Sequence, residues 1–387
     1  MAYPDKGLAV RSFCGASGDA EHYLTIEAPE GLSLARQMDI VSQRYAEAMQ
    51  ALRLAPESAI FRRLYLSDAP NQAARVRQSS LFQEPLDSPV AVSMVQQPPL
   101  PGGKIAMLAY HLESAAPVSK RHIAPGHMIV EKGGLGHLWS TRLCASSGEA
   151  PRSTTEQTRV VFGKLLEALA DKGATLARNC VRTWIYVKDV DVFYQDMVDA
   201  RTALFEEHGL SRDTHYIAST GIEGACAHRY DTVLMDAYSI LGLDPAQVSY
   251  LNAFDRLCAT KDYNVTFERG TRIAYADRAH DFISGTASID PAGKVLHLGD
   301  VERQLGRALG NVDALLGSAD ASLDDMSHFI VYLRDPCDYP LVEDYFAERF
   351  PEVPRLILRG PVCRPEWLVE VEGIALTPHD APELPAF

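Results

Sequence analysis

Three times along the chain an amphipathic helix runs through a short turn into a strand that ends in a Tyr-x-x-Asp corner. This repetition constrains the fold more than any other feature. The first copy reads from Ser33 to Leu54 and then Ala59 to Asp68, the second from Thr155 to Lys172 and then Val181 to Asp189, and the third from Val301 to Gly317 and then Ser327 to Asp335. Each corner leads into a second helical stretch, Ala69–Leu81, Val190–His208 and Tyr339–Phe350, and each copy closes on an apolar strand, Lys104–Tyr110, Val233–Tyr238 and Leu368–Ala375. Apolar residues recur at helical spacing in the helices, as in Leu165, Leu166 and Leu169, whereas Ile, Val and Tyr dominate the strands. The fold class expected is α+β: three tandem units, each a small sheet with two helices on one face. Helices on one face leave the other face of each sheet uncovered, and three sheets that close around a common axis bury one another. The expected architecture is therefore an intrachain pseudo-trimer with units at 1–118, 119–250 and 251–387. Segments 98–103, 125–136 and 244–260 are read as linkers, and the Pro-bearing tail from Thr377 as a loose end.

Of the 387 residues, 47% are apolar and 23% charged, enough to bury a substantial core. A net charge of −14 repels nucleic acid, so cations that bind an anionic ligand must be few and locally placed. No apolar run reaches the roughly 20 residues of a membrane helix, and the opening Met1–Gly7 has no apolar stretch of a secretory leader. A cytoplasmic protein without a membrane partner is expected. The seven cysteines form no Cys-x-x-Cys pair, so neither a disulfide framework nor a zinc knuckle is signalled. His122 and His127 flank Pro125 as in a loop, and the twelve histidines show no ligand cluster. Nucleotide loops, Gly-x-Ser-x-Gly and His-Glu-x-x-His are absent from the sequence, and a reaction without cofactor or metal is expected.

The segment Phe282–Asp290, the helix bearing Gln304 and Asn311, the strand Ile330–Asp335 and the ending Leu368–Ala375 together resemble a unit of the Rid (YjgF) superfamily. The resemblance implies trimer-like clefts between neighbouring units. A narrower resemblance is to the chorismatases. It rests on Ser284–Ile289, His297–Val301 and Cys363–Gly373, with support from Arg182–Tyr186, Arg201, Phe205 and Ala218–Ile222.

Candidate chemistry concentrates in the third unit. Aligning the closing strands on their small and aromatic residues puts Met107, Met235 and Glu370 at equivalent points, with acids in the third copy alone. Buried, Glu370 gains proton affinity and becomes a general acid; on an edge strand it only faces solvent. The family match favours the acid and leaves Glu372 structural. Arg355, 15 residues before Glu370, has the Rid spacing for gripping a substrate carboxylate, for which a guanidinium fork is suited. Arg364, Arg359 and Arg269 are further anion-binding candidates, each with a solvated surface charge as the alternative. By resemblance Cys363 lines the cleft, and no neighbouring base supports a thiolate. Gly285 resembles a cleft glycine whose N–H reaches a substrate oxygen, the adjoining Thr286 is a further substrate-binding candidate, and Thr220 with Gly221 could face that cleft from the second unit.

These residues lead to an expected chorismatase-like reaction, cleavage of the enolpyruvyl ether of chorismate with release of pyruvate, leaving a dihydroxy-cyclohexadiene carboxylate or a hydroxybenzoate. Two alternatives are a Rid-type imine or enamine deaminase and a non-catalytic binder of small acidic metabolites. The expected partner is a small anionic substrate, and the chain a monomer with pseudo-trimeric symmetry or a homo-oligomer.

Overall fold

The computed structural model describes residues 7–85, 87–145, 152–258 and 266–387; residues 1–6 and 259–260, both touched by the readings above, lie outside them. Three sheets follow one another along the chain. The first holds β1 (Leu8–Cys14), β2 (Ala20–Glu27), β3 (Ala59–Leu66), β4 (Ala91–Gln96) and β5 (Ile105–Glu113), in the order β1-β2-β5-β3-β4. The second holds β6 (Ser119–Ala124), β7 (His127–Lys132), β8 (Leu135–Cys144), β9 (Cys180–Val187), β10 (Ala218–Glu223) and β11 (Val233–Leu241), in the order β10-β9-β11-β8-β7-β6. The third holds β12 (Val248–Tyr250), β13 (Gly270–Ala274), β14 (Arg278–Ala287), β15 (Met326–Leu333), β16 (Arg355–Arg359) and β17 (Val369–Pro378), in the order β12-β13-β14-β17-β15-β16. In each sheet the corner strand runs parallel to the edge strand that follows it and antiparallel to the closing strand.

Helices α1 (Leu34–Ala51) and α2 (Ala69–Arg77) accompany the first sheet, α3 (Thr154–Ala170), α4 (Leu176–Asn179) and α5 (Val190–Glu207) the second, and α6 (Val301–Gly317) and α7 (Tyr339–Arg349) the third. Their starts are set by capping: Ser33, Ser153 and Asp300 accept backbone N–H bonds at the first turn, and Ser153 forms a reciprocal box with Glu156. Val161, Phe162, Leu165 and Leu169 of α3 are buried at helical spacing in the second unit's helix-side core.

Inner faces of all three sheets meet in one aromatic core. Phe61 of the first sheet stacks on Trp139 of the second at 4.8 Å, Trp139 meets Tyr238 at 4.6 Å, Tyr238 meets Phe282 of the third at 5.5 Å, and Tyr23 closes back onto His328 at 5.1 Å. Three buried ion pairs cross the same boundaries in a cycle. Arg63 reaches Asp236 at 2.9 Å from first unit to second, Arg182 reaches Glu372 at 2.5 Å from second to third, and Arg278 reaches Glu21 at 2.8 Å from third to first. All six side chains are at most 2% exposed. Burial alone would raise the Glu21 carboxyl, yet His280 and Arg278 outweigh it and hold the group at about 2.

Local readings need correction. The stretch 125–136 is no linker: it holds β7 and the turns of a hairpin, whose glycines and proline have in sequence the same composition as a boundary. His122 and His127 accordingly lie on paired strands, bonded to Glu84 and Ser140. Within 244–260, Val248–Tyr250 pairs with β13 as a strand of the third sheet. The tail is not loose either. Phe387 is buried, with ring contacts to His280 at 4.7 Å and Tyr275 at 4.9 Å and the Arg278 guanidinium over its face at 4.8 Å. Among the described residues no helix is long and apolar enough to cross a membrane.

Removing one member of a cross-unit pair strands the other charge in the core. Asp236→Ala is expected to lower unfolding free energy by about 3–5 kcal/mol in urea titrations, and Arg63→Met with Asp236→Leu to recover most of the loss. Burial holds His137 and His328 down at about 3, so the unfolded chain takes protons that the folded chain refuses below pH ~6.5. Stability should therefore fall as pH drops from ~6.5 towards ~3, and a thermal melt series that stays flat across this window would contradict that assignment.

Candidate active site

Register fixes which acids correspond. Opposite the corner tyrosines Tyr65, Tyr186 and Tyr332 lie Ala106, Leu234 and Glu370, so the equivalents of Glu370 are Ala106 and Leu234 rather than Met107 and Met235. Two residues on, Leu108, Asp236 and Glu372 correspond, and the second unit carries an acid there as well. The two acidic positions have different fates. Glu372 accepts from Tyr332 at 2.8 Å, from Arg182 at 2.5 Å and from Thr220, which makes it a fully engaged structural carboxylate. Glu370 is 5% exposed, and burial, reinforced by the charge of Glu372 and opposed by Arg182 and Arg269, pushes its carboxyl up to about 8. It is mostly protonated at neutral pH.

The seam between the second and third sheets surrounds this acid. Strand β10 runs along β14 and the β16–β17 connection, joined by the bridges Ala218–Glu268 and Ile222–Val362 and by Ser219 N–H donating to Ser284 Oγ at 2.8 Å. Gly285 lies where β14 breaks register against β17; a Cβ there would come within 2.2 Å of Glu370 Oε1, so the carboxyl occupies the space of a missing side chain. Its N–H, expected to meet a substrate oxygen, donates instead to Thr220 Oγ1 at 2.9 Å. The Thr220 hydroxyl also takes a bond from Arg182, and it therefore positions Gly285. Gly221 gives clearance to Tyr194 of α5, whose ring carbon would lie 3.0 Å from a Cβ at that site.

Burial first and then the charge of Glu370 push the Cys363 thiol up to about 12, with Tyr194 acting in the opposite direction. Such a thiol walls the site rather than attacking as a thiolate. Two buried guanidiniums complete the surroundings. Arg269 bonds Cys258 through Nη2 at 3.5 Å, and Arg201, 1% exposed, bonds Thr266 through Nε at 3.1 Å. Arg269 Nε and Arg201 Nη2 are buried without a hydrogen-bond partner among the described residues, and both guanidiniums act electrostatically on Cys363. Buried donors left unsatisfied are what an incoming carboxylate would pair.

Of the residues expected from sequence, Glu370, Cys363, Gly285, Thr220, Gly221 and Arg269 come together here. Arg364 is half-buried with its guanidinium 4.9 Å over the Trp367 ring, and Arg359 is exposed. The Thr286 hydroxyl is committed to Ser284 O at 2.9 Å. Arg355 is the clear correction. It forms a two-pronged pair with Glu343 of α7 at 2.6 and 3.1 Å, in a cleft of about 680 Å³ between the first and third sheets. That cleft also contains Glu27, Glu30, Asp344 and Glu352, an acidic lining unsuited to a dianion. Spacing to Glu370 could not reveal which seam β16 faces, because β16 is the edge strand and β17 an interior one. Arg201 and Tyr194 were missed as site residues. Their separation of two helical turns on α5 was the available signal.

Comparison with known proteins agrees with this architecture. The family model described as endoribonuclease L-PSP matches residues 274–377. The chain is 31% identical over 96 residues to the 3-aminoacrylate deaminase RutC of Acinetobacter baylyi, covering 24% of this chain and 76% of that protein. It is 26% identical over 274 residues to a 3-hydroxybenzoate synthase of Streptomyces hygroscopicus, covering 64% of this chain and 77% of that protein. The chain thus belongs to the Rid (YjgF) superfamily. Within it, the three-unit fold stands near the chorismatases: a chorismatase crystal structure superimposes with a TM-score of 0.63 at 17% identity, over 96% of this chain and 99% of that one.

Gly285→Ala is expected to displace the Glu370 carboxyl, at a cost of about 1–3 kcal/mol in thermal or urea unfolding. It should also return the acid towards its ordinary value, read by carbon-13 NMR titration of Glu370; an unshifted titration would contradict the close approach.

Proposed function

We propose that the seam between the second and third units binds a small dicarboxylate enol ether of the chorismate type and cleaves its enolpyruvyl group. The observation that carries this reading is a buried carboxyl with raised proton affinity, Glu370, held against Gly285 near two buried guanidiniums whose Arg269 Nε and Arg201 Nη2 have no hydrogen-bond partner among the described residues. Arg201 and Arg269 pair the two carboxylates, replacing the expected Arg355. Glu370 delivers its proton to the enol-ether methylene, and the electron pair of the double bond forms the new C–H bond, leaving an oxocarbenium carbon. Water adds to that carbon and returns a proton to the Glu370 carboxylate. The hemiketal then breaks the bond between its own carbon and the ring-borne oxygen, its hydroxyl proton passing to that oxygen as the ketone forms, which gives pyruvate and a dihydroxy-cyclohexadiene carboxylate. Internal rearrangement of the ring would instead lead to a hydroxybenzoate, the product class in the name of the Streptomyces relative. The hydrolytic route takes up one water, and the route to a hydroxybenzoate takes up none on balance. Fixed cationic groups that meet the substrate in place of solvent supply orientation and electrostatic stabilisation.

The deaminase alternative draws on the RutC relative, but it needs an arginine beside Glu370 in the place assigned to Arg355, which the other cleft holds.

Purified chain incubated with chorismate should release pyruvate, measured by coupled reduction with lactate dehydrogenase. Glu370→Gln should lower kcat by about 10²–10⁴-fold, whereas Arg201→Met and Arg269→Met should chiefly raise KM. Because the acid form is needed, wild-type activity should decline as pH rises through about 8. Absence of pyruvate at high enzyme concentration overturns the proposal, and ammonia release from a freshly generated 2-imino acid would favour the deaminase.

A further inference from the structure

Elsewhere in the second unit, the end of β8 meets the loop between β10 and β11. There the ligand atoms of Cys144, Cys226 and Asp231 all lie within 4.8 Å of one another. Cys226 Sγ is 3.3 Å from Asp231 Oδ2, and His228 Nδ1 is 3.4 Å from Asp231 Oδ1. That Nδ1 is buried without a hydrogen bond to any described residue. None of these four side chains belongs to the Glu370 seam.

We propose that Cys144, Cys226, Asp231 and His228 form a structural site for a borderline-soft divalent cation of the zinc class. The donor set carries the argument. Two thiolates select zinc over magnesium or calcium, and an imidazole and a carboxylate complete four-coordination. Bond lengths of about 2.3 Å to sulfur and 2.0 Å to oxygen put tetrahedral S and O ligands roughly 3.5 Å apart, close to the 3.3 Å found between Cys226 and Asp231. Cys226 and Asp231 therefore already hold their ligand atoms at the spacing a metal requires, Cys144 offers a third within 4.8 Å of both, and His228, 3.4 Å from Asp231 Oδ1, is the fourth to be drawn in. On binding, the cation takes the place of the thiol protons of Cys144 and Cys226, which leave to solvent. Asp231 enters as carboxylate and His228 as neutral imidazole.

The location gives the site a role. Ala225, just before Cys226, bridges Gln96 of the first sheet in both directions, and Ala227 packs against the first unit's helix-side core. A cation here would lock the loop that docks the first unit onto the second to the end of β8. Ligands drawn from positions 144 and 226–231 leave no Cys-x-x-Cys spacing for a sequence reading to detect.

The test uses the full chain, expressed with zinc in the medium and purified under reducing conditions. Elemental analysis should find about one zinc per chain, with four protein ligands as in structural sites. Cobalt(II) added after chelator treatment should give intense thiolate-to-cobalt absorption in the near-ultraviolet and tetrahedral bands in the visible. Cys226→Ser and, as the milder variant, His228→Ala should each weaken zinc at least tenfold in competition with a chromophoric chelator, while circular dichroism reports the retained fold. Metal-free protein, the pale spectrum of hydrated cobalt, undiminished zinc in both variants, or a Cys144–Cys226 disulfide in freshly purified protein would each overturn the proposal.

Discussion

Three opposite-charge pairs buried at the boundaries between units govern how the chain closes. Arg63–Asp236, Arg182–Glu372 and Arg278–Glu21 each join one unit to the next, and together they return to the start. A buried pair adds little net stability over apolar packing, since desolvation consumes most of the Coulombic gain. A buried charge facing the wrong neighbour is much worse. The pairs therefore penalise every arrangement in which the units meet in another order or register, while aromatic contacts among Phe61, Trp139, Tyr238 and Phe282 provide the cohesion.

One of these pairs also shapes the site. Arg182 and Thr220 hold Glu372, Thr220 holds the Gly285 N–H, and Gly285 leaves the space into which Glu370 folds. Glu370 thus sits two residues along the strand from a carboxylate whose charge raises its own proton affinity. Two acids on one face divide their work according to environment: the one with three hydrogen bonds keeps the units in place, and the one in the less polar position retains its proton.

Much of the fold was legible because the Tyr-x-x-Asp corner marks the same point in every unit. The corner tyrosines do occupy matching register positions, opposite Ala106, Leu234 and Glu370. Aligning the closing strands by residue type slipped the first two copies by one, and with a side-chain period of two that slip moved an inward residue outward and concealed Asp236. The burial of Glu370 could be anticipated from an acid in an apolar strand. Its neighbouring cations were legible only in part: Arg269 stands among the sequence candidates, but Arg355, close in sequence, belongs to an edge strand facing the first unit, while Arg201 arrives from a helix of another unit. Proline content likewise made the tail look free, although a single terminal aromatic ring is enough to seat it among Tyr275, His280 and Arg278.

Covalent linkage of the three units frees each boundary to diverge. In a symmetric homotrimer every substitution is written into all subunits at once, so a residue that improves one interface must be tolerated in the other two. Here a change at Gly285 or Thr220 touches one interface alone, and the acidic cleft around Arg355 differs from that interface in charge. The single chain can thus specialise one crevice for chemistry while its siblings are released from that selection.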